Sequence, residues 1–392
     1  MEDNTTTTTT TQGTLDGWLG IKKKDEQVDE ASSDSKTTKK VKRPVKKQSK
    51  DEEVEEEEEE EEIKQDDDTT DTNESDDEKI KRYLTFDLKS IGTSKEYFGQ
   101  VMEPLAKLLM NKTVIVAGTK EYRISEMEYY INGHAHKDTF THGDVQQLEH
   151  SMWYFHRQNG GNYKSASYKG LDITFGDPEC YCGILIRGIE EVTKAGKPAG
   201  TLVDGPSLTV DQLLASAGYA TIDDLVKANG RSLLPSQNKV LHLRPTNNLV
   251  AAPTIITTGR VGLTMKMNRA GGHLYFAREY RFVRLPDKIK KGKQYMTAAL
   301  HRQGKSDNEI RAITGSTLKA IKGLADAFDK GTKLAKSNIS QYKDISKGED
   351  CCILLGLCSN LDKLEDGSST DQGVDNDGEE EEDEDQQEET DD

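Results

Sequence analysis

The chain has 392 residues and a formal net charge of -18, but that charge is unevenly spread. The first 80 residues carry 13 Lys/Arg against 27 Asp/Glu, residues 359–392 carry one Lys against 17 acids, and the middle, 81–358, carries 39 Lys/Arg against 27 acids. Both ends are too polar to bury a core, which leaves a basic folded centre between acidic arms, a pattern suited to a nucleic-acid binder. No secretory leader or long apolar run is present, so no membrane partner is expected. The five cysteines are an odd count without a disulfide-like framework, which fits a reducing compartment, and none forms a C-x-x-C pair, which argues against a structural zinc.

The N-terminal arm opens with a threonine run and then Gln12-Gly13-Thr14-Leu15-Asp16-Gly17-Trp18-Leu19. One helical turn would bring Leu15, Trp18 and Leu19 to one side, with Gln12 at the rim. This spacing resembles the peptide motif that binds the replication sliding clamp; a chance match in a low-complexity arm is the other reading. The basic cluster Lys39-Lys40-Val41-Lys42-Arg43-Pro44-Val45-Lys46-Lys47 is of nuclear-localisation type, or a generic polycation, and Glu55–Glu62 begins an acidic linker.

The folded part is expected to start near Leu84. Apolar spacing predicts a helix over Tyr97–Met110, then strands over Thr113–Ala117, Tyr122–Tyr129, Asp172–Phe175 and Ile184–Ile189. Helices follow over Val210–Ala217 and Thr221–Ala228, and strands Val261–Met265 and Tyr280–Val283 are expected to close the sheet. This order is α+β rather than regular βαβ alternation. A helical unit comes next, with helices Lys293–Gln303, Ser306–Ile313 and Thr317–Phe328 and a turn at Thr314-Gly315-Ser316. It reads as helix-turn-helix, with Ser316, Thr317, Lys319 and Lys322 facing DNA, or equally as a plain three-helix packing unit. Beyond Ser346 an acidic tail is expected, with Cys351–Cys358 as an apolar patch that suits a docking helix.

Chemistry-bearing residues crowd into Glu126-Met127-Glu128-Tyr129-Tyr130 and Asp138-Thr139-Phe140-Thr141-His142. On a strand, Glu128 and Tyr130 would share a side. Further on stand Met152-Trp153-Tyr154, Ile184-Leu185-Ile186-Arg187-Gly188-Ile189-Glu190, Gly205-Pro206-Ser207-Leu208, Arg260-Val261-Gly262-Leu263 and Tyr280-Arg281-Phe282. In this order the segments resemble the motifs of the alkyladenine (3-methyladenine) DNA glycosylase family, over roughly Tyr97 to Arg284.

The resemblance implies a mixed, mainly antiparallel curved sheet with flanking helices, over residues 83–286, between a disordered arm (1–82), the helical unit (287–345) and an acidic disordered tail (346–392). It implies a nuclear, monomeric, cofactor-free base-excision enzyme on double-stranded DNA. A damaged purine is flipped out of the duplex and its N-glycosidic bond hydrolysed. Glu128 matches the catalytic glutamate that activates water, and Arg187 an arginine near that water and the phosphates. Tyr130 and His142 match residues that stack on the flipped base. Tyr163 or Tyr168 is expected to give the second stacking face or the wedge that fills the vacated stack. Asp172 falls where many members carry an Asn that helps reject bases with an unwanted amino group. Two rivals stand beside this reading: a non-catalytic clamp-associated DNA-binding protein on the same fold, and a metal-dependent hydrolase using His134, His136, Asp138 and His142.

Overall fold

Two long strands form the spine of the fold, and the rest of the sheet is laid on their edges. The structure, a computed structural model, describes residues 74–90, 95–251, 254–266, 271–342 and 347–368. The clamp-type peptide Gln12–Leu19, the basic cluster and the acidic runs of both arms lie outside the described residues.

In chain order the first elements are α1 (Asp76–Leu84), α2 (Lys95–Lys112), β1 (Thr113–Ala117), β2 (Lys120–Gly133), β3 (His136–Lys137), β4 (His150–Phe155), β5 (Leu171–Phe175), β6 (Cys180–Val192) and β7 (Pro198–Asp204). Then come α3 (Pro206–Ala217), α4 (Ile222–Asn229), β8 (Leu241–Pro245), β9 (Ile256–Thr258), α5 (Gly272–Phe276) and β10 (Arg281–Val283). Four helices close the described chain: α6 (Lys293–Arg302), α7 (Asp307–Thr314), α8 (Leu318–Gly331) and α9 (Gly348–Ser368).

The fold is α+β, with a ten-stranded sheet whose main path runs β4-β5-β6-β2-β1-β8. Its pairings are antiparallel. β2 and β6 pair along nearly their full length, and β10 adds to the far edge of β2 at Glu126–Glu128, bringing β9 with it.

Register decides what each face carries, because side chains alternate across a strand. One rung runs Trp153, Ile173, Ile184, Tyr129 across β4, β5, β6 and β2, and all four are buried. α2 covers this apolar face through Met102, Leu105, Ala106 and Leu109, and the Tyr129 hydroxyl donates to the Met102 carbonyl at 3.0 Å. The neighbouring rung, one residue along, runs Tyr154, Asp172, Leu185, Glu128, Arg281, Thr258 across six strands. It therefore presents polar groups on the opposite face.

Three sequence expectations shift. The folded part begins before Leu84, because α1 buries Ile80 and Leu84 and opens with a Ser75/Glu78 capping box. Val261–Met265 is not a strand: Gly262 takes a left-handed turn (φ 86°), and the segment crosses the polar face, while the strand beside β10 is β9. The Cys351–Cys358 run, placed in the expected tail, lies in α9 and is buried against α5, α6 and α8. Phe328 of α8 and Cys351–Leu355 of α9 belong to the same core cluster as the sheet.

α8 and α9 touch backbone to backbone. A Cβ on Gly356 would run into the Phe328 carbonyl, and one on Gly331 into the Ile353 carbonyl. Gly356→Ala should therefore destabilise the fold by about 2 kcal/mol, the cost of overpacking a site that cannot yield. Urea unfolding would show a lowered midpoint at unchanged slope; an unmoved midpoint would mean that the helices can separate freely.

Candidate active site

The polar rung gathers the site. Glu126 and Glu128, two apart on β2, share a face, and a register shift at Ser125–Met127 lets Arg187 of β6 reach both. Arg187 Nε donates to Glu126 Oε1 at 2.7 Å and lies 3.3 Å from Glu128 Oε1, while its Nη1 donates to Glu128 Oε2 at 3.4 Å. Arg281 Nε also donates to Glu126 Oε1 at 2.7 Å. Both glutamates are 0% exposed. Burial alone would raise Glu126, but Arg281 and Arg187 outweigh it and hold its carboxyl below the usual value. Burial disfavours the charge of Arg187, and Glu128 and Glu126 more than reverse that, so Arg187 stays a cation.

Glu128 is the hub. Its Oε1 accepts from the Val261 backbone N–H at 2.7 Å, and its Oε2 from the Tyr130 hydroxyl at 2.9 Å. Burial first, and then the Glu128 carboxylate, push the Tyr130 phenol well above its ordinary value, so it remains a donor. The Val261–Gly262–Leu263 turn thus roofs the site, tied down by the carboxylate it covers.

Arg260 sets the Tyr130 ring. It is fully buried, bonds Asp138 Oδ1 through Nη2 at 3.1 Å and the Tyr129 carbonyl at 3.0 Å, and its guanidinium lies 4.6 Å from the Tyr130 ring centroid. Asp138 therefore acts behind the site, by anchoring the arginine that backs the tyrosine.

A cavity of about 230 Å³ opens above the rung, lined by Tyr130, Phe140, His142, Gln147, His156, Asp172, Leu185, Arg187 and the Val261–Leu263 turn. It is smaller than the roughly 300–1,000 Å³ typical of drug-sized ligands and suits one flat ring system. His142 stands at its mouth, its Nδ1 3.2 Å from the Tyr154 hydroxyl and its Nε2 3.5 Å from Lys164 Nζ. Burial first, and then the neighbouring His156, lower the His142 ring to about 4.

Of the expected site residues, the fold brings together Glu128, Arg187, Tyr130, His142 and Asp172. It does not bring in Tyr163, which packs on Phe155 (ring centroids 6.1 Å apart) and lines a neighbouring groove with Arg157, Lys164, Lys169 and Lys227. Tyr168 is 75% exposed beside that groove. The four candidate metal ligands diverge: His134 bonds Asp177 at 3.0 Å, His136 packs on Tyr275, Asp138 holds Arg260 and His142 faces the cavity. Among the described residues no three His, Cys, Asp or Glu side chains are grouped to hold a metal ion. Lys319 and Lys322 are exposed on α8, Thr317 caps that helix by accepting from the Ala320 N–H at 3.3 Å, and Ser316 is half-buried in the turn before it.

Gln147 and His156 were not singled out. His156 sits in the aromatic run Trp153-Tyr154-Phe155-His156, whose composition suggests core. Alternation separates it: Trp153 and Phe155 face the core, while Tyr154 and His156 lie on the opposite face, where His156 lines the cavity.

No family profile matches the chain. It is 31% identical over 213 residues to an uncharacterized protein of Acanthamoeba polyphaga mimivirus, an alignment covering 51% of this chain and 91% of the relative. The chain belongs to one family with that protein, whose name states no activity. No helix among the described residues is long and apolar enough to cross a membrane.

The lowered value of His142 fixes a pH response. As pH falls, the unfolded chain takes up its proton first, near 6.5, and the folded chain only near 4. The contribution of His142 to stability is thus intact above pH 6.5 and is lost progressively down to pH 4. Urea titrations of wild type and His142→Gln should give stability curves that converge with falling pH across this window; parallel curves would contradict the lowered value of the ring.

Proposed function

We propose that the chain is a monofunctional DNA N-glycosylase that hydrolyses the N-glycosidic bond of a flipped-out alkylated or deaminated purine. The observation that carries this reading is the buried Glu128, held by Tyr130, Arg187 and the Val261 N–H beneath an aromatic-walled cavity sized for one base. The order of motifs from Glu126 to Phe282 supports it further, through their resemblance to the alkyladenine DNA glycosylases, and the antiparallel sheet agrees with the mainly antiparallel sheet that resemblance implies.

In this mechanism the base enters between Tyr130 and the ring of His142, which is neutral at physiological pH and so adds no competing charge. Water approaches the anomeric carbon from the Glu128 side. The carboxylate accepts its proton as the C–O bond forms and the C–N bond breaks, the electron pair leaving with the purine. Arg187 offsets the charge of the carboxylate pair and orients it. Lys164 at the mouth and Lys169 and Lys227 in the adjoining groove suit the phosphates. Tyr168, exposed between Ala166 and Lys169 of that groove, is proposed to fill the vacated stack.

A second reading has its own observation. Both Glu128 oxygens are already engaged, which also suits a structural anchor in a non-catalytic DNA-binding protein. Glu128→Gln separates the two. It keeps the shape, turns one acceptor oxygen into a donor amide and loses the base, so it should abolish purine release from duplexes carrying single damaged purines, with or without chelator. Binding to the lesion duplex should persist. Turnover at the wild-type rate would remove Glu128 from the mechanism.

The outlying parts fit a nuclear, monomeric repair enzyme. Ser316, Thr317, Lys319 and Lys322 are proposed to add a DNA contact. The N-terminal peptide around Gln12, Leu15, Trp18 and Leu19 is proposed to bind the sliding clamp, with the acidic linker as tether. A peptide of residues 10–25 should bind purified clamp saturably, and Trp18→Ala should cost at least about 2 kcal/mol of that binding. Binding indifferent to Trp18→Ala would sink the assignment.

A further inference from the structure

The cavity holds a second carboxylate that the hydrolysis does not use. Asp172 lies two places along the rung from Glu128, is buried, and lines the cavity with His156 and Gln147. Its Oδ1 accepts from His156 Nε2 at 2.8 Å, whereas Oδ2 has a long contact with Gln147 Nε2 at 3.5 Å. Gly183 of β6 allows this placement, since a Cβ there would collide with Oδ2. A carboxylate offers about four acceptor positions, and one buried with a weak donor on one oxygen gains from any further N–H. Arg187 does not supply it, being committed to Glu126 and Glu128. His142, lowered to about 4, brings no positive charge.

We propose that Asp172, positioned by His156 and Gln147, is a specificity-determining residue that selects flipped purines presenting an exocyclic amino group over deaminated purines presenting a carbonyl at the same edge. The amino group donates into the carboxylate. A carbonyl sets lone pair against lone pair at a buried carboxylate, and a site built around such a hydrogen bond discriminates strongly. This rests on the glycosylase reading and narrows its substrate class to amino-bearing purines.

The test uses the full chain and duplexes carrying a single non-cleavable 2′-fluoro nucleotide, either 2,6-diaminopurine or hypoxanthine, with base release from cleavable lesions measured in parallel. Wild type should bind the diaminopurine duplex at least tenfold more tightly relative to Asp172→Asn than it binds the hypoxanthine duplex. The cost of opening each base pair belongs to the duplex and cancels in that comparison. A merely structural Asp172 would weaken both duplexes equally, and an unchanged ratio overturns the proposal. Should Asp172→Asn fail to fold, wild type alone decides on duplexes in which each base stands opposite an abasic site, so that no pair has to be opened: equal affinity overturns selection, and a preference for the amino base supports it. Amino selectivity with no base release from any lesion would support the selection and overturn the glycosylase reading alone.

Discussion

Two carboxylates placed side by side on a buried strand are the constraint from which the rest of this structure follows. Glu126 and Glu128 share one face of β2, and neither reaches solvent. An unpaired charge in such a place costs several kcal/mol, so guanidinium groups must be brought to it. Arg187 comes from β6 and Arg281 from β10, each fixed by strand pairing. The network is thereby written into the sheet. The register shift near Ser125 admits Arg187, and the short strand β10 exists on the edge of β2 where Arg281 is required. Arg281 in turn bonds the carbonyls of Lys291 and Gly292 (3.2 and 3.4 Å), which ties the start of α6 to the same cluster.

A second arginine layer does for the ring what the first does for the carboxylates. Arg260, bonded to Asp138 and lying against Tyr130, Phe140 and Tyr280, leaves Tyr130 little freedom. The tyrosine then donates to Glu128, and the Val261 turn that follows Arg260 caps the same carboxylate. Carboxylate, ring and roof are held by one connected set of buried bonds, which is the preorganisation a base-sized cavity needs. Buried networks of this type are poor evidence for stability in themselves. Their cost makes more sense if the geometry they hold serves chemistry.

Much of this was legible in the sequence, for identifiable reasons. Strand β1 was read with its observed bounds because a β-branched run between polar residues has one reading. The shared face of Glu128 and Tyr130 followed from period-two alternation. What alternation cannot supply is pairing: that Arg187 reaches Glu128 and that Asp172 lines the cavity on the same rung depends on the register of β5 and β6. Val261–Met265 misled because an apolar run that roofs a cavity looks like one that fills a sheet. His156 was hidden among aromatics, although its parity with Tyr154 separates it from Trp153 and Phe155. The cysteine-rich stretch of α9 reads as a docking helix and is one; what it docks on is not legible, since nothing local announces that Gly331 and Gly356 let two helices meet. The arms remain readable only as sequence.

The claim at the centre of this account is that the rung of Glu128, Arg187 and Tyr130 serves to release a purine by hydrolysis. The most direct test is single-turnover incubation of the full chain, with chelator present, on methylated duplex DNA, followed by mass spectrometry of the small-molecule fraction. The account predicts free methylpurine, accumulating in step with abasic sites in the duplex. Duplex that is bound yet retains every purine would contradict it.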